Sequence, residues 1–503
     1  MKTASHNNNN TLMAAKRPTA FPRSRDFVFP FGKCSRLHLT STVHLYKQTG
    51  RMQEPAIDLD ECLDIFGQQP FLKIYTQICL CYSMTDDASH SAIVNTLTKG
   101  LERLTASFPW VAGQVINEGS DEGNSGVFKI KHLERIPRLV VKDLRQDPSI
   151  PTMDVLRQAN FPMSLLNEDT ICPVNTLPRP DGSDEFPVFL VQANFITGGL
   201  LLSLVGEHGA MDMTGQGQVI HLLSKACRDE SFTAEEISTG NLARRSLIPL
   251  LDDSYEPGPE LTRQIIKRDG SLPPPPAPPK STWAYFSFQA GSLATLKSHA
   301  MQTVPSGYVS TDDALSALIW QSVMRIRLHR LNPETESMLA RAVDVRRFLS
   351  IPETYPGLIQ NMTYHMNTLQ KLVEEPLGVV ASRLRSALDP KTSTLGYHSR
   401  ALATFLSRTP DKSIFSFAAT VDLSTDMMLS SWAKLNCYEL DFGLGLDTPE
   451  AVRRPQFDPF ESLMYLMPKA PDGEIVAAIC LRDEDMERLR VDEGFTKYAR
   501  FIG

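Results

Sequence analysis

Residues 199–227 read GLLLSLVGEHGAMDMTGQGQVIHLLSKAC, and the pattern changes character partway along. Gly199 to Gly206 is almost continuously apolar, the composition of a strand covered on both faces. From Gln218 to Cys227, Val219, Ile220, Leu222 and Leu223 resume helical spacing. Between them lies GEHGAMDM, Gly206 to Met213, which places His208 just beyond a strand and Asp212 just before a helix. Such junctions hold polar side chains rigidly. A free imidazole titrates near pH ~6.5, so His208 is suited to take a proton from an alcohol attacking a carbonyl and return it to the leaving group. Such acid–base work is typically worth about 10² to 10⁴ in rate. Asp212 has several uses open to it: fixing the loop, bonding the imidazole, or capping the helix, and the two residues need not touch. His-x-x-x-Asp by itself is a short pattern that recurs by chance, and a structural hydrogen bond is the plainer reading of a strand-end histidine. No second His or Cys stands beside it at ligand spacing, so no metal is expected.

Outward from this stretch, FLKIYTQICLCYS at Phe71 to Ser83 predicts a buried strand, and Ile93, Leu97, Leu101, Leu104 and Phe108 predict an amphipathic helix after it. Pro187 to Phe195 predicts the strand preceding the histidine strand. SLPPPPAPPK at Ser271 to Lys280 lacks the backbone donors of a helix or central strand and predicts an extended connector at a lobe boundary. Beyond it Trp283 to Gln289 reads as a strand. Thr311 to Leu328 reads as a buried helix with Ser310 as N-cap and Asp313 on its positive end. Ala340 to Arg346 alternates, with Asp344 and Arg346 expected on one face, and a strand at Glu474 to Leu481 precedes a helical stretch at Asp483 to Arg490.

The 503 residues carry a net charge of −7, too acidic for a protein whose main partner is nucleic acid. The charge is uneven: the first fifty residues are +7, so residues 51–503 carry −14. We therefore expect a basic, poorly ordered arm at 1–55, with organelle targeting as a minor alternative. Eight cysteines, none in a C-x-x-C pair, fit a reducing compartment, Cys79 and Cys81 sharing one strand face. No apolar run approaches a membrane span and the N-terminus lacks a secretory core, so a soluble, cytoplasmic monomer with no membrane partner is expected. The sequons at Asn9 and Asn361 are then unused.

A second unusual segment is Ser430-Ser431-Trp432, followed by DFGLG at Asp441 to Gly445. Asp441, Gly443 and Gly445 read first as a structural turn over a core Phe442. Taken with HGAMD at His208 to Asp212, in this order and separation, DFGLG resembles the BAHD acyltransferase pattern written HxxxD and DFGWG. STDDALSALIW at Ser310 to Trp320, VDVRR at Val343 to Arg347, the SSW and LRDEDMERL at Leu481 to Leu489 match as well. DLDECLDIFGQQPFLKIYTQICLCY and FPWVAGQV at Phe108 to Val115 resemble the fungal, trichothecene 3-O-acetyltransferase-like branch.

The resemblance implies an α/β fold of two chloramphenicol-acetyltransferase-like lobes, mixed β-sheets flanked by helices, with a central channel admitting acyl-CoA and acceptor from opposite faces. It places an N-terminal lobe with HxxxD at 56–255, a proline-rich connector at 256–282 and a C-terminal lobe with DFGxG at 283–503. It implies that His208 is the general base, with no acyl-enzyme, and that Asp212 is structural and turned from the chemistry. Arg346 is the candidate ionic partner of Asp212. Ser430 and Trp432 are candidates for the oxyanion or acyl site, with core packing as the plainer role. The DFGLG loop is implied to be structural and remote from the channel, although Leu444 replaces the usual Trp. Because the family's Tyr-Phe-Gly-Asn segment becomes Tyr355-Pro356-Gly357, no CoA contact is carried over to it.

Arg325, Arg327 and Arg330 are read as cations favoured by a helix C-terminus rather than as CoA ligands. A nonribosomal-peptide condensation domain shares the fold, but Glu207 replaces its first His and Met213 its Gly. A catalytically silent binding protein on the same scaffold is the other alternative. The G-x-S-x-G, Walker A and G-x-G-x-x-G patterns are missing. The expectation is therefore an acyl-CoA-dependent O-acyltransferase, acetyl-CoA being its cosubstrate, with no bound cofactor or metal. Its acceptor is a small-molecule hydroxyl on a fungal secondary metabolite, terpenoid or polyketide, with N-acylation open.

Overall fold

The computed structural model describes residues 43–45, 59–85, 89–178, 185–266 and 279–503. The basic arm, apart from a three-residue strand, and the proline run at 271–278 lie outside the described residues.

Two large mixed sheets organise the described residues. The first orders its strands Val43–Leu45, Arg138–Asp143, Phe189–Ile196, Gly199–Glu207, Tyr75–Ser83 and Ala451–Arg453. All pairs are antiparallel except Arg138–Asp143 with Phe189–Ile196. Gly199–Glu207 lies at its centre with all nine residues buried, as the unbroken apolar run predicts. Its helical cover includes His90–Ser107, capped by Ser89, whose Ile93, Leu97, Leu101 and Leu104 face the core. That helix packs on Met213–Cys227 where Gly100 lies; a Cβ there would come within 2.3 Å of the Cys227 sulfur.

The second sheet runs Gln360–Thr368, Glu336–Asp344, Met427–Ser431, Leu463–Leu466, Ile475–Arg482, Ser281–Phe288 and Arg500–Phe501. Met427–Ser431 pairs in parallel with both neighbours, the others being antiparallel. Thr311–Arg327 is buried around almost its whole circumference, and Ser310 and Asp313 form a reciprocal capping box at its start, worth about 1 kcal/mol. A three-stranded sheet of Asp60–Cys62, Val127–His132 and Gly113–Glu118 completes the architecture.

Several expectations need correction. The strand expected to reach Arg346 ends at Asp344; the Arg346 amide bonds the Asp344 carboxylate at 3.0 Å and opens a short 3-10 turn instead. The strand expected from Phe71 starts at Tyr75, because Pro70 opens a 3-10 turn first. The helix expected from Gln218 starts at Met213, drawn forward by its cap, Asp212. Arg325, Arg327 and Arg330 do more than answer a helix dipole. Arg327, with no exposed side-chain surface, pairs with Asp485 at 3.2 Å; Arg330 meets the same carboxylate at 2.8 Å, and Arg325 holds Asp492 at 2.6 Å. The cysteines among the described residues are free thiols, and Cys79 and Cys81 share one buried cluster. No helix of the described residues is long and apolar enough to cross a membrane.

Candidate functional site

The end of Gly199–Glu207 is carried one residue further by the backbone: the His208 amide donates to the Ile74 carbonyl at 2.8 Å. The following turn is tight. A Cβ at Gly67 would lie 2.2 Å from the Gly209 carbonyl oxygen, so only glycine at 67 lets that segment close over the loop. His208 Nδ1 sits 3.2 Å from the Met211 carbonyl oxygen. A carbonyl only accepts, so Nδ1 carries the proton of the neutral ring and Nε2 is left as the basic nitrogen. The residue retains accessible surface, unlike Glu207, Gly209 and Ala210 around it. Burial pushes the His208 imidazole below its ordinary range; the Met211 carbonyl and the Asp212 charge oppose this, and Arg454 adds to it.

Asp212 does not orient His208. Its carboxylate accepts from the amides of Gly215 and Ile359, each at 2.8 Å, so it caps the helix Met213–Cys227 and ties down the 355–359 loop at once. Its remaining lone pairs meet Arg346 in a bidentate pair, Nη1 to Oδ2 at 2.9 Å and Nη2 to Oδ1 at 3.0 Å. Arg346 also donates to Tyr355 O at 3.0 Å, Gly357 O at 2.7 Å and Asp344 Oδ1 at 2.9 Å, so all five guanidinium N–H groups are used. Gly215 permits this close approach, since a Cβ there would stand 2.3 Å from the Pro356 carbonyl oxygen. The altered Tyr355-Pro356-Gly357 segment is therefore part of the clamp on the histidine loop.

A second buried network braces the loop from the other side. Arg244 Nη1 donates to the Ala210 carbonyl at 2.8 Å and to Asp64 Oδ2 at 3.0 Å, its guanidinium lying 4.4 Å over the Trp110 ring. Asp64 also accepts from Tyr355 Oη at 2.6 Å and the Leu358 amide at 3.0 Å. Burial raises the Asp64 carboxyl against the pull of Arg244 and Tyr355. Glu207 is buried; it accepts from the Ala210 amide at 2.7 Å, and burial pushes its carboxyl up to about 8. No sequence motif marks Asp64, Arg244, Tyr355 or Glu207 for these roles. The signal for Glu207 was a carboxyl at the end of an apolar strand. The other three carry no local signal.

Ser430 is the penultimate residue of the strand Met427–Ser431, and Trp432 follows that strand directly. The indole Nε1 donates to Ser430 Oγ at 3.0 Å, and the Trp432 ring packs 4.8 Å from Tyr465. Ser430 keeps some accessible surface while Trp432 is buried, so the serine hydroxyl is the more reachable donor. Asp441 Oδ1 accepts from the Gly443 amide at 2.7 Å. Gly443 and Gly445 sit at φ +62° and +71°, which explains the glycines there. Arg228, at the C-terminal end of Met213–Cys227, donates to the Asp441 carbonyl. The loop thus lies a helix length from His208, about 20 Å by the helical rise.

Among the described residues a cavity of about 480 Å³ lies beside His299, Lys497 and Tyr498, and another of about 260 Å³ beside Arg157, Phe161 and Arg453. Neither includes His208. Among the described residues no group of three or more His, Cys, Asp or Glu side chains is placed to hold a metal.

The Transferase family matches residues 167–495, and the trichothecene 3-O-acetyltransferase-like N-terminal domain matches 74–227. O-acetyltransferase dmxR13 of Cryptosporiopsis sp. (strain 8999) is 60% identical over 454 residues, covering 89% of this chain and 98% of that protein. Trichothecene 3-O-acetyltransferase TRI101 of Fusarium sporotrichioides is 55% identical over 447 residues, 88% of this chain and 97% of that one. The crystal structure of F. sporotrichioides TRI101 complexed with coenzyme A and T-2 superposes with a TM-score of 0.84 at 54% identity, covering 88% of this chain and 100% of that chain.

Proposed function

Because the chain belongs to the Transferase family, in its trichothecene 3-O-acetyltransferase-like branch, and is an acyltransferase, we propose that it moves an acetyl group from acetyl-CoA to a hydroxyl of a fungal secondary metabolite, with His208 as general base. The observation that carries the reading is the state of one ring. His208 Nδ1 is pinned to Met211 O at 3.2 Å, which leaves a basic Nε2 on a residue that still has accessible surface.

In the proposed reaction His208 Nε2 takes the hydroxyl proton of the acceptor as its oxygen attacks the thioester carbonyl. The tetrahedral oxyanion collapses, the carbon–sulfur bond breaks, and the departing CoA thiolate recovers the proton from the imidazolium. No acyl-enzyme forms. Ser430 Oγ–H, accessible at the strand end, is the donor we assign to the oxyanion, with Trp432 Nε1 holding that hydroxyl in place. Asp212 and Arg346 hold the loop rigid and take no proton. A passage reaching His208 from two sides is part of the proposal, for acyl-CoA on one side and acceptor on the other. The acceptor is a hydroxylated terpenoid or polyketide; relatives named for trichothecene 3-O-acetylation support the terpenoid class.

The test combines purified protein, acetyl-CoA and a panel of acceptors that includes deoxynivalenol and T-2-type trichothecenes, with thiol release and product mass followed together. The expected result is acceptor-dependent CoA release and a gain of one acetyl group. His208→Ala should lower the rate by about 10² or more. A His208→Ala protein as fast as the parent removes the proposed base, and no thiol release with any acceptor favours a silent binding protein.

A further inference from the structure

Arg453 ends the strand Ala451–Arg453 and is 4% exposed, yet no carboxylate among the described residues pairs with it. Its guanidinium donates to main-chain carbonyls instead: Nε to Phe161 O at 3.2 Å, Nη1 to Val452 O at 3.1 Å and Nη2 to Asn160 O at 3.4 Å. Carbonyl dipoles hold a guanidinium in place but do not cancel its charge. Arg327 and Arg346, buried as deeply, each have a carboxylate. Two of the three acceptors belong to a strained turn. Asn160 and Phe161 are consecutive non-glycine residues with φ of +62° and +53°. Asparagine tolerates that region and phenylalanine rarely enters it, and such strain persists where the surroundings over-determine it. Here it turns two carbonyls onto one guanidinium and so fixes the direction of Arg453.

Arg453 lines the cavity of about 260 Å³, together with side chains from both large sheets. Arg157 covers Glu450 there, Nε and Nη2 each reaching a carboxylate oxygen at 2.8 Å, and holds its carboxyl below the ordinary range. Glu474 accepts from Ser287 Oγ, and from Gln289 Nε2 at 2.7 Å. Arg500 is exposed, stands opposite Ser287 in the sheet register and enters no ion pair among the described residues. Three guanidinium groups against two carboxylates leave the wall with one surplus positive charge, and both carboxylates are already hydrogen-bonded. Phe161 and Ile502 add apolar surface.

The cavity is distinct from the candidate reaction centre. Arg453 pairs opposite Cys79, on the face of the first sheet that carries Cys81, Leu201 and Val205. Leu200, Leu202 and Leu204, the row whose alternation leads on to His208, lie on the other face.

We propose that this cavity binds a small organic carboxylate, a monoanion carrying a short chain or a single ring, at a site separate from the acetyl-transfer centre. The carboxylate meets Arg453 and Arg500, whose planar donors match its two oxygens, and its apolar body lies against Phe161 and Ile502. One surplus positive charge suits a monoanion; a phosphate dianion is repelled by Glu450 and Glu474. The volume falls below the about 300 to 1,000 Å³ of drug-sized sites, so the occupant is a small metabolite. The site does not depend on the general-base reading of His208.

The experiment titrates the full chain with benzoate by isothermal titration calorimetry. Propionate serves as the short-chain probe, and benzamide, inorganic phosphate and CoA as comparison ligands. The proteins are the parent, Arg500→Gln, Arg453→Gln and His208→Ala. The expected result is one carboxylate site per chain, with benzamide at least about tenfold weaker than benzoate and Arg500→Gln weakening benzoate about tenfold. His208→Ala and saturating CoA should leave benzoate affinity at the parental value. Because Arg500 is exposed, its variant keeps the fold and decides the matter should Arg453→Gln not fold. Saturable binding of neither benzoate nor propionate overturns the proposal, as does benzamide binding as tightly as benzoate. Parental benzoate affinity in Arg500→Gln, or phosphate binding more tightly than benzoate, overturns it as well. Displacement of benzoate by CoA, or its loss in His208→Ala, assigns the anion to the acetyl-transfer centre and overturns the separate site.

Discussion

Replacing Asp212 by Asn tests the clamp that holds the histidine loop. Asn is as good an N-cap as Asp, so its side-chain oxygen keeps the bond to Gly215 and the helix start survives. What is lost is the ion pair with Arg346, whose side chain has no exposed surface against 3% for Asp212. Breaking one partner of a buried pair typically costs about 3 to 5 kcal/mol. Asp344 keeps one contact to Arg346 at 2.9 Å but is itself 39% exposed, so it offsets little. Arg346→Met leaves Asp212 with two amide donors and strips the Tyr355 and Gly357 carbonyls of theirs, so a loss of the same order is expected. Because both changes remove one interaction, the double variant should cost about as much as either alone, a coupling on the order of 3 kcal/mol. Urea unfolding followed by circular dichroism gives the stabilities, and thiol release gives kcat/KM. An Arg346→Met protein with the parental midpoint and activity, or strictly additive single effects, refutes the reasoning.

Glu207 gives a pH prediction of definite sign. Its carboxyl is held protonated up to about 8 in the native state against an ordinary value of 4.5, so the folded form binds the extra proton between those values. Stability should fall as pH rises through that window and level off above it, and Glu207→Gln should flatten the slope by a few kcal/mol; a parental slope in the variant contradicts this. His208 is displaced below its ordinary 6.5, so the acid limb of kcat/KM should lie below that pH. A limb at higher pH in the parent would contradict the neutral-ring assignment. In Gly215→Ala the new methyl meets the Pro356 carbonyl oxygen at 2.3 Å, so about 1 to 3 kcal/mol of stability and part of kcat should be lost as the 355–359 loop shifts; a silent variant in the same assays would show that the loop gives way freely. Ser430→Ala should lower kcat with little change in KM if its hydroxyl meets the oxyanion only in the transition state. A rise in KM alone would place Ser430 in binding instead.

The local grammar of this chain was readable from its residues because strands and helices answer to near neighbours. Gly199 to Gly206 had to be covered on both faces, and Ser310 with Asp313 announced the helix that follows them. The placement of His208 between strand and helix followed from the same reasoning. The pairing of Asp212 with Arg346, 134 residues away, was approached only through a resemblance, and the network of Asp64, Arg244 and Tyr355 spans up to 291 residues without a periodic trace. The strand Ala451–Arg453, which leaves the C-terminal half to pair with Tyr75–Ser83, was equally silent. Burial settled these matters: a charge removed from water must find its partner wherever folding brings one.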